Sequence, residues 1–278
     1  MKLIECPRDA MQGIHEFIPT DKKVAYINQL LKVGFDTIDF GSFVSPKAIP
    51  QLKDTAEVLS KLELEATNSH LLAIVANLRG AQDACQFEEI NYLGFPLSIS
   101  EQFQLRNTNK TIEQALQVVA DIQDLCHLND KTLVTYISMG FGNPYGEVYN
   151  EEVVAEFVSK LNSLEVEIVS LADTIGVAQP ELIKSIFESN ISEFESVEIG
   201  AHFHSTPNTA KEKIQAAYDA GCRRFDAAIK GYGGCPMAAD DLTGNIATET
   251  LLEVLGHDLV DKDQFEKAML MSLDVFPA

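Results

Sequence analysis

Three short stretches of this chain carry side chains able to do chemistry together. The first, G-A-H-F-H-S-T (Gly200–Thr206), places His202 and His204 one residue apart in a chain with six histidines. In a strand, residues i and i+2 face the same way, so both imidazoles would present to one surface. Histidine is a frequent metal ligand, and two side by side suit a divalent cation. The plainer alternative is a pair hydrogen-bonded to neighbouring carboxylates. The second stretch, P-R-D-A-M-Q, supplies Arg8, Asp9 and Gln12. The third, G-Y-G-G-C-P, sets Cys235 among Gly231, Gly233 and Gly234, and Gly244-Asn245 follows. An aspartate and an amide oxygen beside two imidazoles make a mixed N/O set. Such a set suits Mg²⁺, Mn²⁺ or Zn²⁺ and leaves positions open for substrate. Arg8 would polarise a carbonyl or hold an enolate oxygen, or form an ion pair with Asp39 or Asp173. A thiol on a glycine-flanked lid can serve as acid, base or nucleophile.

These residues need a scaffold that brings them together. Strand-like runs fall at Lys2–Cys6, Thr37–Gly41, Glu65–Ser69, Glu89–Phe95, Thr132–Ser138, Glu167–Ala172, Val197–His204 and Arg224–Ala228. Helical spacing fills most of the gaps, at Lys22–Val33, Asp54–Leu62, Ile112–Leu125, Glu151–Ser163, Pro180–Ser189 and Thr209–Ala220. The connection around Leu71–Ala84 has no clear period. Alternating strands and helices specify a parallel sheet, and eight such units predict a (β/α)8 TIM barrel. Residues 1–278 would form one catalytic domain with a short C-terminal helical extension. A doubly wound open sheet is the alternative, but the turn after the first strand has no glycine before Gly13. A barrel places active sites at the C-terminal ends of its strands. That rim would collect Arg8, Asp9, Asp39, Ser170, Asp173, His202, His204 and, past the eighth strand, Cys235 and Asn245.

Composition narrows the function. A formal net charge of −21 repels phosphate backbones and argues against a nucleic-acid partner. No apolar run approaches the roughly 18 residues that span a bilayer, so no membrane partner is expected, and Met1–Glu5 leads directly into apolar structure without a signal-like segment. The five cysteines are scattered and form no C-x-x-C. Reduced thiols and a cytoplasmic location are expected.

With these residues in view, the chain resembles the 3-hydroxy-3-methylglutaryl-CoA (HMG-CoA) lyases, over about residues 3–255. The motifs are Pro7–Gln12, S-F-V-S-P-K (Ser42–Lys47), S-I-S-E (Ser98–Glu101), S-L-A-D-T-I-G-V (Ser170–Val177), A-H-F-H (Ala201–His204), G-G-C-P (Gly233–Pro236) and G-N-I-A-T-E (Gly244–Glu249). The resemblance implies that Asp9, His202, His204 and Asn245 hold a divalent ion, Mg²⁺ or Mn²⁺. It implies that Arg8 stabilises the thioester enolate and that Cys235 carries a proton. His202 would act as base, Asp173 and Ser170 would support the site, and Asp39 would stand beside Arg8. The implied reaction is retro-aldol cleavage of HMG-CoA to acetoacetate and acetyl-CoA, usually in leucine breakdown and usually by a homodimer. Lys47, Lys110 and Lys230 are the candidates for the CoA phosphates. The sequence departs from the family at Asp39, where a glutamate is usual, and at His15, where a lysine is usual. The segment between Cys235 and Asn245 is one residue longer and carries Asp240 and Asp241. A Claisen-type synthase of the same barrel group, and a barrel that only binds CoA esters, are the competing readings.

Overall fold

The structure is a computed structural model that describes residues 1–234 and 243–276. Eight parallel strands close into a barrel in sequence order. They are β1 (Lys2–Glu5), β2 (Thr37–Ser42), β3 (His70–Ile74), β4 (Tyr92–Ser98), β5 (Thr132–Ser138), β6 (Ile168–Asp173), β7 (Glu198–Phe203) and β8 (Arg224–Ala227). Closure pairs Leu3 with Phe225 and Ile4 with Asp226, so β1 lies beside β8. The helices are α1 (Pro7–Gln12), α2 (Thr20–Leu30), α3 (Thr55–Leu59), α4 (Leu78–Ala84), α5 (Glu101–Thr108), α6 (Ile112–Leu128), α7 (Glu151–Ser163), α8 (Pro180–Glu193), α9 (Ala210–Asp219), α10 (Thr248–Leu255) and α11 (Lys262–Val275). The expected barrel is therefore present. Among the described residues no helix is long and apolar enough to cross a membrane.

Alternation along β7 shows how the barrel sorts its side chains. Phe203 points outward and meets the rings of Phe141 and Phe187 at 5.5 and 5.9 Å. Its neighbours His202 and His204 point inward, with ring centroids 5.5 Å apart. The outward side chains of all eight strands join the helices in one apolar cluster. Inside, a much smaller apolar cluster of Leu72, Ile74, Val134, Tyr136 and Ile168 fills only the β3–β6 side.

Three readings from the sequence need correction. The third strand is His70–Ile74, not Glu65–Ser69. Glu65 and Ala66 form a turn, while Leu71–Ile74 is buried on both faces. A strand buried on both faces shows no polar–apolar alternation to betray it. The fourth strand lies three residues later than expected, at Tyr92–Ser98. Helix α5 was not anticipated, because its composition is mostly polar; its start is set by Ser100, whose hydroxyl accepts from the Phe103 N–H.

Candidate active site

Pro7 occupies the first helical position of α1, where its missing N–H costs nothing and its fixed φ suits a helix. The chain therefore turns into α1 directly after β1, and Asp9 stands on that short helix. The loop after β8 returns to the rim, where Asn245 pairs with His204 in an isolated bridge. The outcome is a convergence expected from the sequence. An oxygen of Asp9 and one ring nitrogen each of His202 and His204 lie within 4.8 Å of one another. Asn245 reaches the same place differently. Its Nδ2 donates to Asp9 Oδ2 at 2.5 Å and to the Tyr232 carbonyl at 2.9 Å. Offering its oxygen to a cation would take a half-turn of the amide.

The donor chemistry fits a divalent cation. His204 Nδ1 is buried with no hydrogen-bond partner among the described residues, a costly arrangement that an electrophile would relieve. Burial, followed by the neighbouring His202, pushes His204 down to about 4, so its imidazole stays neutral and keeps a lone pair. His202 Nδ1 donates to Asp226 Oδ2 at 3.0 Å, the carboxylate–histidine arrangement that orients metal-binding imidazoles. Burial opposes charge on His202 most strongly, but the bond to Asp226, the charge of Asp226 and that of Asp9 together raise the pKa. For Asp9, burial pushes the pKa up, yet Arg8 and then both histidines pull it below the usual range.

Arg8 is tied down on every side. Its Nε and Nη2 donate to Asp39, the latter at 2.6 Å, and Nη1 donates to Asp9 Oδ1 at 3.0 Å and Gln12 Oε1 at 2.9 Å. One Nη2 hydrogen is left over from the guanidinium's five. Burial opposes the charge on Arg8, but Asp39 and Asp9 hold its pKa above the ordinary value. Burial pushes Asp39 up to about 6 against the pull of Arg8, which still leaves it ionised at neutral pH. The pair is nearly dry, with side chains 8% and 1% exposed.

A cavity of about 120 Å³ opens over these groups. Arg8, Asp9, His202 and His204 form its polar wall, and Ile74, Pro96, Phe103 and Tyr136 face them. A larger cavity of about 730 Å³ lies at the opposite, N-terminal end of the barrel. Its acids Glu165, Glu167, Glu195 and Glu198 gather no ligand set, so the chemistry belongs to the smaller one.

Other expected residues are placed elsewhere. Asp173 does not reach the metal group: it accepts from Lys213 Nζ at 2.7 Å and from the Val177 and Ala178 amides at 2.9 and 3.0 Å. It shapes the loop after β6 instead. Ser170 lies below His202, 3.5 Å from Asp226. Cys235, Asp240 and Asp241 fall outside the described residues. Gly233, two residues before Cys235, lies against the site, since a Cβ there would stand 2.7 Å from Asn245 Nδ2 and 2.9 Å from the Asp9 carbonyl. Lys47 lines a rim cavity with Arg79, whereas the Lys230 amide is held by Glu249 at 3.0 Å. The sequence reading missed Asp226 and Cys6, which also form a close group with His202. Inward parity on β8 was the available signal for Asp226: the i+2 rule that paired the histidines applies there too.

A closed parallel barrel with a histidine–carboxylate group at its C-terminal rim defines the class, and the chain belongs to the family described as HMGL-like, matched over residues 3–273. It is 33% identical to the hydroxymethylglutaryl-CoA lyase of Bacillus subtilis over 90% of this chain and 82% of that protein. It is 31% identical to the 3-hydroxy-3-isohexenylglutaryl-CoA/hydroxymethylglutaryl-CoA lyase of Pseudomonas aeruginosa, over 95% and 91% of the two chains. Among solved structures it resembles an HMG-CoA lyase from Acinetobacter baumannii in complex with coenzyme A and 3-methylmalate. That match has a TM-score of 0.90 at 32% identity and covers 99% of this chain and 91% of that one.

Proposed function

We propose that this protein is a metal-dependent HMG-CoA lyase that cleaves HMG-CoA to acetoacetate and acetyl-CoA. The observation that carries this reading is the convergence of Asp9, His202 and His204 within 4.8 Å in a chain whose relatives bear that activity along most of its length. Asp9, His202 and His204 would hold Mg²⁺ or Mn²⁺, with Asn245 as fourth ligand after its amide turns. When bound, such an ion supplies Lewis acidity toward hydroxyl and carboxylate oxygens.

The chain's own groups account for the remaining chemistry. His202, its Nδ1 proton held by Asp226, would give Nε2 to the ion, and the tertiary hydroxyl proton would pass to a water beside this histidine. Loss of that proton lets the hydroxyl carbon become a ketone as the C2–C3 bond breaks, and the electron pair passes to the thioester as an enolate. Arg8 stands ready for that oxygen with the unspent Nη2–H, fixed in direction by Asp39. Ile74, Pro96, Phe103 and Tyr136 exclude water and face the methyl branch. Cys235 would return a proton to the enolate carbon, a role supported by the contact of Gly233 with Asp9 and Asn245. Asp173 acts by shaping the rim through Lys213. Lys47, with Arg79 beside it, is the favoured phosphate contact for the CoA tail.

The same reading includes a homodimer, a common closed assembly, and a cytoplasmic setting, which the unbridged Cys6, Cys85, Cys126 and Cys222 support. The deciding experiment incubates purified protein with HMG-CoA and Mg²⁺ or Mn²⁺, with and without EDTA. Acetoacetate should form only in the unchelated samples. If none forms with either metal, the reading is overturned.

A further inference from the structure

Arginine keeps its charge at any working pH, so burying one without partners costs several kcal/mol. Arg224 on β8 is such a residue. It is 0% exposed, and its Nε, Nη1 and Nη2 all lack a hydrogen-bond partner among the described residues. Room for it comes from Gly200 on β7, where a Cβ would stand 3.0 Å from Arg224 Cδ and 3.1 Å from Cγ. The ring of Tyr92 lies 5.8 Å from its Cζ, which offers a cation–π contact but no acceptor for the N–H groups.

The other buried cations among the described residues are all answered. Arg8 has Asp39, Lys23 has Asp54 and Lys213 has Asp173. Among the buried carboxylates, Asp9 and Asp39 share Arg8, and Glu5 accepts from the Ile229 amide and the Thr248 hydroxyl. Asp226 is only half-used. Its Oδ2 holds His202, while its Oδ1 is buried with no partner. Arg224 and Asp226 stand two residues apart on one strand and therefore face the same way. One is a cation with unused donors, and the other an anion with an unused acceptor.

We propose that Arg224 is the counter-charge of Asp226, reached through one ordered water, and so a positioning residue for His202. The inference rests on His202 being a metal ligand, as read above. A water between the two would accept from the guanidinium and donate to Oδ1, satisfying both unpartnered groups. With Oδ1 tied, the carboxylate is fixed in rotation. Oδ2 then stays on His202 Nδ1, and Nε2 stays turned toward Asp9 and His204. A diffusible anion on Arg224 is disfavoured, because Glu165, Glu167, Glu195 and Glu198 surround the cavity at that end of the barrel.

Two measurements test this. A crystal structure of the unsubstituted protein that resolves ordered water should show one water bridging the guanidinium and Asp226 Oδ1. An anion on Arg224, or a guanidinium turned to Glu198, overturns the proposal. The second is Mn²⁺ affinity by isothermal titration. Arg224→Met should weaken binding about tenfold, the scale of outer-shell effects on bound metals, and Arg224→Lys should recover most of the loss. In an Asp226→Asn background, Arg224→Met should add nothing further. A full additional loss there, or unchanged affinity in Arg224→Met alone, overturns it. If the unsubstituted protein binds no Mn²⁺, the metal reading has failed, and the crystal structure still decides the link between Arg224 and Asp226. The same structure decides if Arg224→Met does not fold.

Discussion

The two faces of the barrel sheet solve opposite problems. The outer face buries Phe203 against Phe141 and Phe187 in a continuous apolar layer. The inner face, one residue away on either side of Phe203, buries imidazoles, carboxylates and guanidinium groups. The outer layer gains from every contact it makes, without direction. The inner network gains only where each donor meets its acceptor, and an unmet partner there is expensive. Stability should therefore track the outer face and chemistry the inner one.

Substitutions can break that division. The largest effect is expected at Asp9→Ala, which removes a ligand: kcat/KM should fall on the order of 10⁴-fold, with thermal unfolding close to that of the metal-free protein. Activity within tenfold of the unsubstituted enzyme would place the chemistry elsewhere. Next, Phe187→Ala on the outer face should cost about 3–5 kcal/mol by denaturant titration, while kcat of the remaining folded protein changes little. A smaller effect belongs to Glu5, which burial pushes from 4.5 up to about 8. A carboxyl raised in the folded state favours folding while protonated. That advantage is present below pH 4.5 and is lost as pH rises through 8, at no more than about 1.4 kcal/mol per pH unit. Glu5→Gln keeps the shape and should flatten this fall in Tm across the window; an unchanged slope would show that Glu5 does not titrate there. Smallest of all, Lys61→Ala removes exposed ion pairs with Asp21 and Glu57 and should leave both Tm and kcat within error.

The outer face was the more legible of the two in the sequence. Helix α7 was read to the residue, and α2, α3, α6, α8 and α9 to within a few residues, because one apolar stripe repeats along each; α1, α4 and α5 were not bounded. The strand pattern failed where both faces are apolar, at Leu71–Ile74, since nothing alternates there. On the inner face, the pair His202 and His204 was visible because strand alternation is local. Asp226 and Arg224 follow the same alternation and were passed over, because R-R-F-D is ordinary in composition. Their importance comes from which atoms lack partners, and that is settled only by packing. Asp173 is the reverse case. It stands in a family motif, but its charge is met by Lys213, forty residues on, a distance that no spacing rule reports.

The loop that follows β8 leaves and re-enters the barrel through a tied neck. The Ala228 amide donates to the Ile246 carbonyl and the Thr248 amide to the Ala228 carbonyl, at 3.0 and 3.1 Å, while Glu5 grips the Ile229 amide and the Thr248 hydroxyl. Pinned ends fix where Gly233 and Asn245 meet Asp9. Lengthening a loop whose ends are already held costs about 0.6 kcal/mol per doubling, and the barrel below does not register the change. Changes of length or charge between Cys235 and Asn245 would therefore leave Asp9 and the histidines in place.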